Sequence, residues 1–110
     1  MASTVEFVEY VCGQIGGAGR IAYKKMFGEY GVYCDGKMIG VICDNQFFVK
    51  KTVAGAALVP GCPEAAPYAG AKPQLLIDSL EDREKMTRLI AATCQELPAP
   101  KPKKKKRQSD

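Results

Sequence analysis

The chain has 110 residues, enough for one domain with a single core, and 46% of them are apolar. Its net charge of +4 is uneven: residues 101–110 carry six basic residues against one acidic, whereas residues 1–100 carry 10 basic and 11 acidic. No apolar run approaches the roughly 20 residues that cross a bilayer, and the first residues lack the pattern of a signal peptide. We therefore expect a cytoplasmic protein without a membrane partner.

The chemistry available to the chain is limited by the absence of histidine. A structural zinc site would need four scattered cysteines, because mixed Cys/His sites are excluded and no Cys-x-x-Cys pair occurs. We expect buried thiols in a reducing compartment and no cofactor, with a disulfide or redox role as the alternative. No nucleophile with a histidine base is available, so the sequence predicts that the protein is not an enzyme. The cysteines are Cys12, Cys34, Cys43, Cys62 and Cys94.

The first predicted element is an amphipathic helix over residues 3–15, because apolar residues recur there every three or four positions. Ser3 and Glu6 stand in the register of a capping box, which would satisfy two free amides at the helix start. Gly16-Gly17 predicts a left-handed stop.

Four strands are predicted between residues 21 and 49. Gly28 indicates a bulge or tight corner after the first strand. Asp35-Gly36 and Asp44-Asn45 predict two-residue hairpin turns, because these residues accept positive φ. The strands are Ile21–Met26, Tyr30–Cys34, Met38–Cys43 and Phe47–Val49.

Turns of two residues would place Val32 opposite Ile39 and Gly31 beside Gly40. Both faces of such a sheet are apolar, so both must be covered by helices, a second sheet or a second subunit. Because two helices of about three turns each leave part of the sheet uncovered, we expect a partner surface there, and a homodimer is the simplest cover. One predicted face holds Tyr30, Val32, Ile39, Val41 and Phe48; the other holds Tyr33, Met38, Ile42, Phe47 and Val49.

The second half of the chain is less regular. Thr52 is expected to cap a short helix over 53–59, and an irregular loop follows as far as Pro73. Residues 74–77 predict a last strand at a sheet edge, and a helix from Asp78/Ser79 ends before Pro98. The order α-β-β-β-β-α-β-α predicts an α+β domain at residues 1–97, with an antiparallel meander sheet of 4–5 strands flanked by N-terminal and C-terminal helices.

Residues 98–110 are predicted to be a disordered tail rich in proline and lysine. A run of five basic residues in it would bind phosphate backbones weakly, independently of sequence and with strong salt dependence. A purely solubilising tail is the alternative. The five residues are Lys103, Lys104, Lys105, Lys106 and Arg107.

One segment resembles a known family. The sequence reads Lys25-Met26-Phe27-Gly28-Glu29-Tyr30-Gly31-Val32-Tyr33, then Asp35-Gly36-Lys37-Met38, then Phe47-Phe48-Val49-Lys50. This resembles the signature of the TfoX N-terminal domain, K-M-F-G-x-x-G-[VI]-Y-x-D-G-x-M followed by a strand ending in lysine, and the resemblance extends over residues 5–97. The residues that carry it are interpreted as structural: Met26, Phe27, Gly28, Gly31, Tyr33, Asp35, Gly36 and Lys50.

The resemblance implies an α+β fold and a link to the TfoX/Sxy proteins, which regulate competence genes in bacteria; it brings no catalytic residue. The first hypothesis is a non-enzymatic module that acts in transcriptional regulation by contacting a protein partner, a regulator or a polymerase-associated protein. The alternative is a ligand-binding or enzymatic domain. Its pocket would lie between the sheet, near Gly31 and Gly40, and the loop 60–73, and would be lined by Tyr33, Tyr68 and Lys72.

Overall fold

The computed structural model describes residues 3–26, 28–77 and 79–98. It has the predicted α+β architecture, with an antiparallel sheet flanked by N-terminal and C-terminal helices. The sheet has six strands, more than the 4–5 predicted, in the order β1-β2-β3-β4-β6-β5. The elements are α1 (Val5–Ile15), β1 (Ile21–Met26), β2 (Glu29–Cys34), β3 (Lys37–Cys43), β4 (Gln46–Val49), α2 (Val53–Leu58), β5 (Glu64–Ala65), β6 (Gln74–Ile77) and α3 (Arg83–Glu96).

Helices α1 and α3 contribute the apolar stripes that cover one face of the sheet, which we call the helix face. α1 supplies Val8, Val11 and Ile15 to this core, and its partner α3 supplies four buried side chains. The core therefore lies between one helical layer and one sheet layer. The α3 residues are Met86, Leu89, Ile90 and Cys94, and the sheet contributes Tyr30, Val32, Cys34, Ile39, Ile42, Phe47, Val49, Leu75 and Ile77.

The start of α1 differs from the predicted capping box. The Thr4 side chain, not that of Ser3, accepts the helix-capping hydrogen bond, from the Phe7 amide at 3.2 Å. Ser3 is buried and bonds the sheet instead, so Glu6 has no capping partner there. The left-handed stop at Gly16-Gly17 is also wrong: Gly16 has φ −60°, and the helix runs into a 3₁₀ turn over Gly16–Ala18.

The turns of the meander have the predicted backbone conformation. Gly28 makes a tight corner with φ 79°. Asp35 and Gly36 have φ of 52° and 83°, and Asp44 and Asn45 have φ of 53° and 56°. These values fit the two-residue hairpin turn that matches the twist of adjacent strands. The pairing of Val41 with Phe48, predicted from the second turn, is confirmed.

The pairing of β2 with β3 contains a bulge that the sequence did not reveal. The register shifts between Val32 and Tyr33, so that Val32 pairs with Gly40 and Gly31 pairs with Val41. The predicted pairs Val32–Ile39 and Gly31–Gly40 are therefore wrong. One extra residue in β3 changes which side chains share a face beyond it.

The bulge also corrects the predicted faces. Ile39 and Ile42 both belong to the core on the helix face, although they were assigned to opposite faces. Val41 and Phe48 share a face, as predicted, but they lie away from Val32.

The remaining elements follow the prediction in part. Thr52 caps α2 as expected, its hydroxyl accepting from the Gly55 amide at 2.9 Å. The differences concern β5, β6 and the start of α3. Strand β6 is not at the edge, because the two-residue β5, too short to show a period, pairs with it within the predicted loop. Helix α3 begins at Arg83 and not at Ser79; the Asp82 side chain caps it by accepting from the Lys85 amide at 3.0 Å.

Two charged side chains connect the helices to their neighbours. The Glu96 carboxylate accepts hydrogen bonds from the Val53 and Ala54 amides at 2.9 Å, and so joins the end of α3 to the start of α2. The Lys37 ammonium donates to the Cys94 and Leu97 carbonyl oxygens at 2.8 and 3.0 Å. These carbonyls at the helix end lack helical partners, so Lys37 acts as a C-terminal cap supplied by the hairpin.

Several predictions fall on positions outside the described residues. They are the tail from residue 99 onward, with its run Lys103–Arg107, the motif residue Phe27, and Asp78 as a helix start. Within the described ranges, no helix combines the length and apolar character that a membrane span requires.

The close approach of β3 to β4 gives the first testable prediction. A Cβ atom at Gly40 would overlap the Phe48 carbonyl oxygen of β4, so we expect Gly40→Ala to lower the free energy of unfolding by about 3 kcal/mol. Gly13→Ala is the control: nothing lies within 4 Å of its Cβ position in α1, and it should raise stability by about 0.5–1 kcal/mol. Urea unfolding monitored by circular dichroism measures both, and a neutral Gly40→Ala would contradict the β3–β4 packing.

Candidate functional site

The face of the sheet opposite α1 and α3, which we call the second face, carries a smaller apolar cluster. Val41, Cys43 and Phe48 are buried there, although every residue of this cluster comes from a strand. Met38, Ala65 and Leu76 surround them. The loop after β5 covers part of this face. The second face is therefore less enclosed than the helix face.

An open hollow of about 530 Å³, which we call the apolar groove, lies between the second face and that loop. Its floor is formed by strand residues, and Tyr68, 59% exposed, forms part of its outer wall. Two carboxylates, those of Glu29 and Asp44, stand among otherwise mostly apolar lining residues. The full lining is Met26, Glu29, Tyr30, Val41, Cys43, Asp44, Pro67 and Tyr68.

A hydrogen-bond network fixes the acidic side of the groove. The Glu29 carboxylate accepts from the Ser3 amide through Oε1 and from the Asp44 amide through Oε2, both at 2.9 Å. The Ser3 hydroxyl accepts from the Asn45 amide, and the Asn45 side-chain oxygen accepts from the Thr4 amide. The start of α1 is thereby joined to β2 and to the β3–β4 turn.

The same network sets the charge of Glu29. Burial alone would raise the pKa of this carboxyl, but hydrogen bonds from Asp44 and Ser3 stabilise the ionised form and hold the pKa below its usual value. The groove therefore keeps a negative charge on this side well into the acidic range.

The ligand pocket considered from the sequence differs from the observed groove. Tyr68 lines the groove as expected, but Tyr33 and Lys72 are not among its lining residues. Neither glycine offers backbone to a ligand. A Cβ at Gly31 would lie 2.6 Å from the Met38 methyl carbon, and Gly40 is closed by the backbone of β4.

The other end of the second face is basic. Tyr33 lines two shallow hollows there, one with Arg20 and Lys24 and the other with Lys37 and Lys50. The Lys24 ammonium lies 5.8 Å from the centroid of the Tyr33 ring, within the range of a cation–π contact. We call these five residues the basic strip.

The motif residues are thus brought together only in part. Met26 and Tyr33 pack over Gly31 on the second face, and Lys50 lies across the sheet beside Met38. Other motif positions set the hairpins: the Asp35 Oδ1 accepts from the Arg20 amide at 2.8 Å, which ties the β2–β3 turn to the entry of β1. No local signal marked Arg20, Lys24 or Glu29, because their roles depend on the pairing of distant segments.

Cys34, Asp35 and Cys94 place potential ligand atoms within 4.8 Å of one another. All three groups already have partners: the Cys94 thiol donates to the Cys34 carbonyl oxygen at 3.3 Å, the Cys34 thiol donates to the Ala18 carbonyl oxygen at 3.9 Å, and the Asp35 carboxylate accepts from the Arg20 amide. Burial, aided by the Cys94 thiol, raises the pKa of Cys34 to about 12. The arrangement is that of buried, packed thiols, which is the first of the two interpretations of the cysteines.

Fold and surface together define a small α+β domain whose sheet is covered by helices on one face and presents an apolar groove and a basic strip on the other. The family model of the TfoX N-terminal domain matches residues 13–97. The chain belongs to this family, as the resemblance of the meander predicted. It is also 36% identical over 107 residues to a protein of Spirochaeta aurantia described as an uncharacterized 12.7 kDa protein in the trpE 5′ region, covering 96% of this chain and 93% of that relative.

The Glu29 network predicts a pH-dependent loss of stability. Because the folded pKa is lowered, the carboxylate stabilises the fold above its unfolded value of about 4.3, and this contribution is lost as the pH falls through the folded pKa. We expect Glu29→Gln to cost about 1 kcal/mol at neutral pH, a value reduced for solvent screening, and progressively less below about pH 4. Thermal unfolding across this range measures the difference, with the exposed Glu81→Gln as control. If the difference in the free energy of unfolding between Glu29→Gln and wild type does not become smaller in acid, the network does not have this role.

The different burial of the five cysteines predicts that they react with an alkylating reagent at different rates. Cys12 and Cys62 are partly buried, whereas Cys34, Cys43 and Cys94 are buried. We expect iodoacetamide near neutral pH to modify only the first two in the native protein, slowly, and all five in urea. Peptide mass spectrometry gives the order. Rapid native labelling of Cys34 would contradict the packed-thiol interpretation and favour a redox role.

Proposed function

We propose that this chain is a non-enzymatic interaction module of the cytoplasm that acts in transcriptional, competence-type regulation by contacting a protein partner. Membership of the TfoX N-terminal domain family supports the regulatory part of the proposal. The apolar groove on the second face supports contact with a protein, and it is the observation that carries the proposal.

The composition of the groove favours a particular kind of partner segment. Hot spots of protein interfaces are apolar or aromatic side chains that enter a pocket and become fully desolvated. The floor offers Val41 and Cys43, and Tyr68 stands at the wall, where its ring can close over an inserted side chain. Glu29 and Asp44 place negative charge beside it. We propose that the occupant is a partner segment with an apolar anchor next to a lysine or arginine, for example on a regulator or a polymerase-associated protein.

A small molecule is the second candidate for the same groove. The volume of about 530 Å³ falls within the range of about 300–1,000 Å³ typical of small-molecule sites. The openness of the outer wall favours a protein segment, because drug-sized ligands usually have most of their surface buried. A second copy of the chain would also cover the face.

The basic tail adds a separate element to the proposal. The run Lys103–Arg107 would give weak, non-specific affinity for nucleic acid that falls steeply with salt. This contribution would keep the module near DNA, while the groove selects the protein partner.

The groove is tested by site-specific photocrosslinking. A photoreactive phenylalanine analogue replaces Tyr68, and in a second strain Tyr10, which is 45% exposed on α1 away from the groove. We expect position 68, but not position 10, to trap a transcription regulator or polymerase-associated protein in the native cells. Tyr68→Lys should weaken recovery of that protein at least about tenfold, because the added charge is repelled by basic residues and is not desolvated; Tyr10→Lys should not.

The outcomes separate the candidates. A transcription protein linked at position 68 supports the proposal, provided that the transcripts controlled in the cell respond to Tyr68→Lys and not to Tyr10→Lys. A covalent homodimer at position 68 would favour the second copy. A metabolite seen by native mass spectrometry and lost in Tyr68→Lys would favour the small molecule. Equal crosslinking at both positions would overturn the groove assignment.

A further inference from the structure

We infer that the basic strip is a binding surface for single-stranded nucleic acid, formed by the folded domain itself. It lies at the opposite end of the second face from the apolar groove, and the inference does not depend on the partner protein proposed there. The strip combines the two features such surfaces use: cationic side chains that follow a phosphate backbone and an aromatic ring on which a base stacks.

The charge balance of the strip is positive. Arg20, Lys24, Lys37 and Lys50 line its two hollows, against one acidic residue, Asp35. The ion pairs seen among the described residues join Lys51 to Glu64 and Arg88 to Glu84, so they involve none of the strip's basic side chains. The Lys37 ammonium is committed to the end of α3. This leaves Arg20, Lys24 and Lys50 to meet an anion.

The Tyr33 ring is supported from below. Gly31 has no side chain, and Tyr33 Cε1, Met38 Cε and Met26 Sδ all close over it, within 3.4 Å of where its Cβ would be. The ring thus rests on the sheet, partly exposed, with the Lys24 ammonium 5.8 Å from its centroid. A ring held in this way loses little freedom when a base stacks on it.

The strand order places the charges on both sides of the ring. Lys24 is on β1, Tyr33 on β2, and Lys50 directly follows β4. Lys24 and Lys50 are separated by three strand spacings of about 4.8 Å, which is about 14 Å in the direction across the sheet. A nucleic-acid strand running across the sheet would therefore contact the Lys24 ammonium, the Tyr33 ring and the Lys50 ammonium in succession.

The observations favour a single strand over a duplex or an acidic protein. A base can stack on Tyr33 only when it is unpaired and splayed out, and the strip residues lie on strands or next to strand ends, not on a helix that would enter a groove of duplex DNA. An acidic peptide would satisfy the charges but would leave the ring unused.

A tryptophan reporter tests the stacking directly. The chain has no tryptophan, so Tyr33→Trp gives a single emitter in the otherwise full-length protein. We expect an oligothymidylate of about 15 nucleotides to quench its fluorescence in a saturable way, while the matching duplex and polyglutamate do not. Tyr10→Trp, on α1, is the control and should remain unquenched.

Charge variants separate the strip from the tail. Lys24→Gln with Lys50→Gln should reduce the slope of log affinity against log salt by about 1.4, since two phosphate contacts are lost on a single strand. Lys25→Gln with Lys85→Gln removes the same charge from exposed positions outside the strip and should leave the slope nearly unchanged. Neutralising Lys103–Arg107 to glutamine should weaken affinity but preserve quenching at position 33.

The inference is overturned by any of five results: no quenching at position 33 in a variant whose circular dichroism is native, equal quenching at position 10, quenching by polyglutamate, binding of duplex as tight as that of the single strand, or loss of all binding on tail neutralisation. The last result would assign the affinity to the tail alone. Tyr33→Ala should weaken binding about tenfold. Tyr33→Phe should bind as tightly as wild type, because it keeps the ring on which a base stacks and lacks only the hydroxyl. None of these readouts depends on the groove, so the two proposals fail separately.

Discussion

The arrangement of both faces depends on the place where β3 passes β4 without a side chain at Gly40. The Phe48 carbonyl occupies the space that a Cβ would need, and on the other side of β3 the register with β2 shifts by one residue. Because of this bulge, Ile39 and Ile42 both reach the helical layer, while Val41 turns to the second face. The core beneath α1 and α3 and the floor of the apolar groove thus both depend on the backbone path of β3 between Ile39 and Val41.

The two ends of the second face differ in charge because different elements close them. Near the β3–β4 turn, the start of α1 is held by Glu29, whose carboxylate stays ionised through its amide partners and contributes negative charge to the groove. Near the β2–β3 turn, the Asp35 carboxylate accepts a hydrogen bond from the Arg20 amide, and the Lys37 ammonium donates to the end of α3. The other charged side chains around Tyr33 are basic. Under the two proposals above, a polyanion and a basic protein segment would meet opposite ends of one sheet, so the two ligands would not compete.

The sequence predicted those features that a few adjacent residues determine. Asp35-Gly36 and Asp44-Asn45 accept positive φ, so both turns followed from local chemistry, and Thr52 marked the start of α2. The bulge, the two-residue β5 and the capture of Ser3 by Glu29 depend on segments far apart in the chain, and no local pattern encodes them. The groove was anticipated only through Tyr68, because its acidic side arises when β2 meets the β3–β4 turn. Family membership could be predicted because the motif residues are those local turn and packing positions.

The cap that Lys37 provides for α3 has a mechanical consequence. The Lys37 ammonium ties the Cys94 and Leu97 carbonyl oxygens at the end of this helix to the β2–β3 hairpin. The same hairpin carries Tyr33 and Met38. The end of α3 and the surface around Tyr33 are therefore mechanically coupled, because fraying of the helix end requires the loss of two charge-assisted hydrogen bonds that the hairpin supplies.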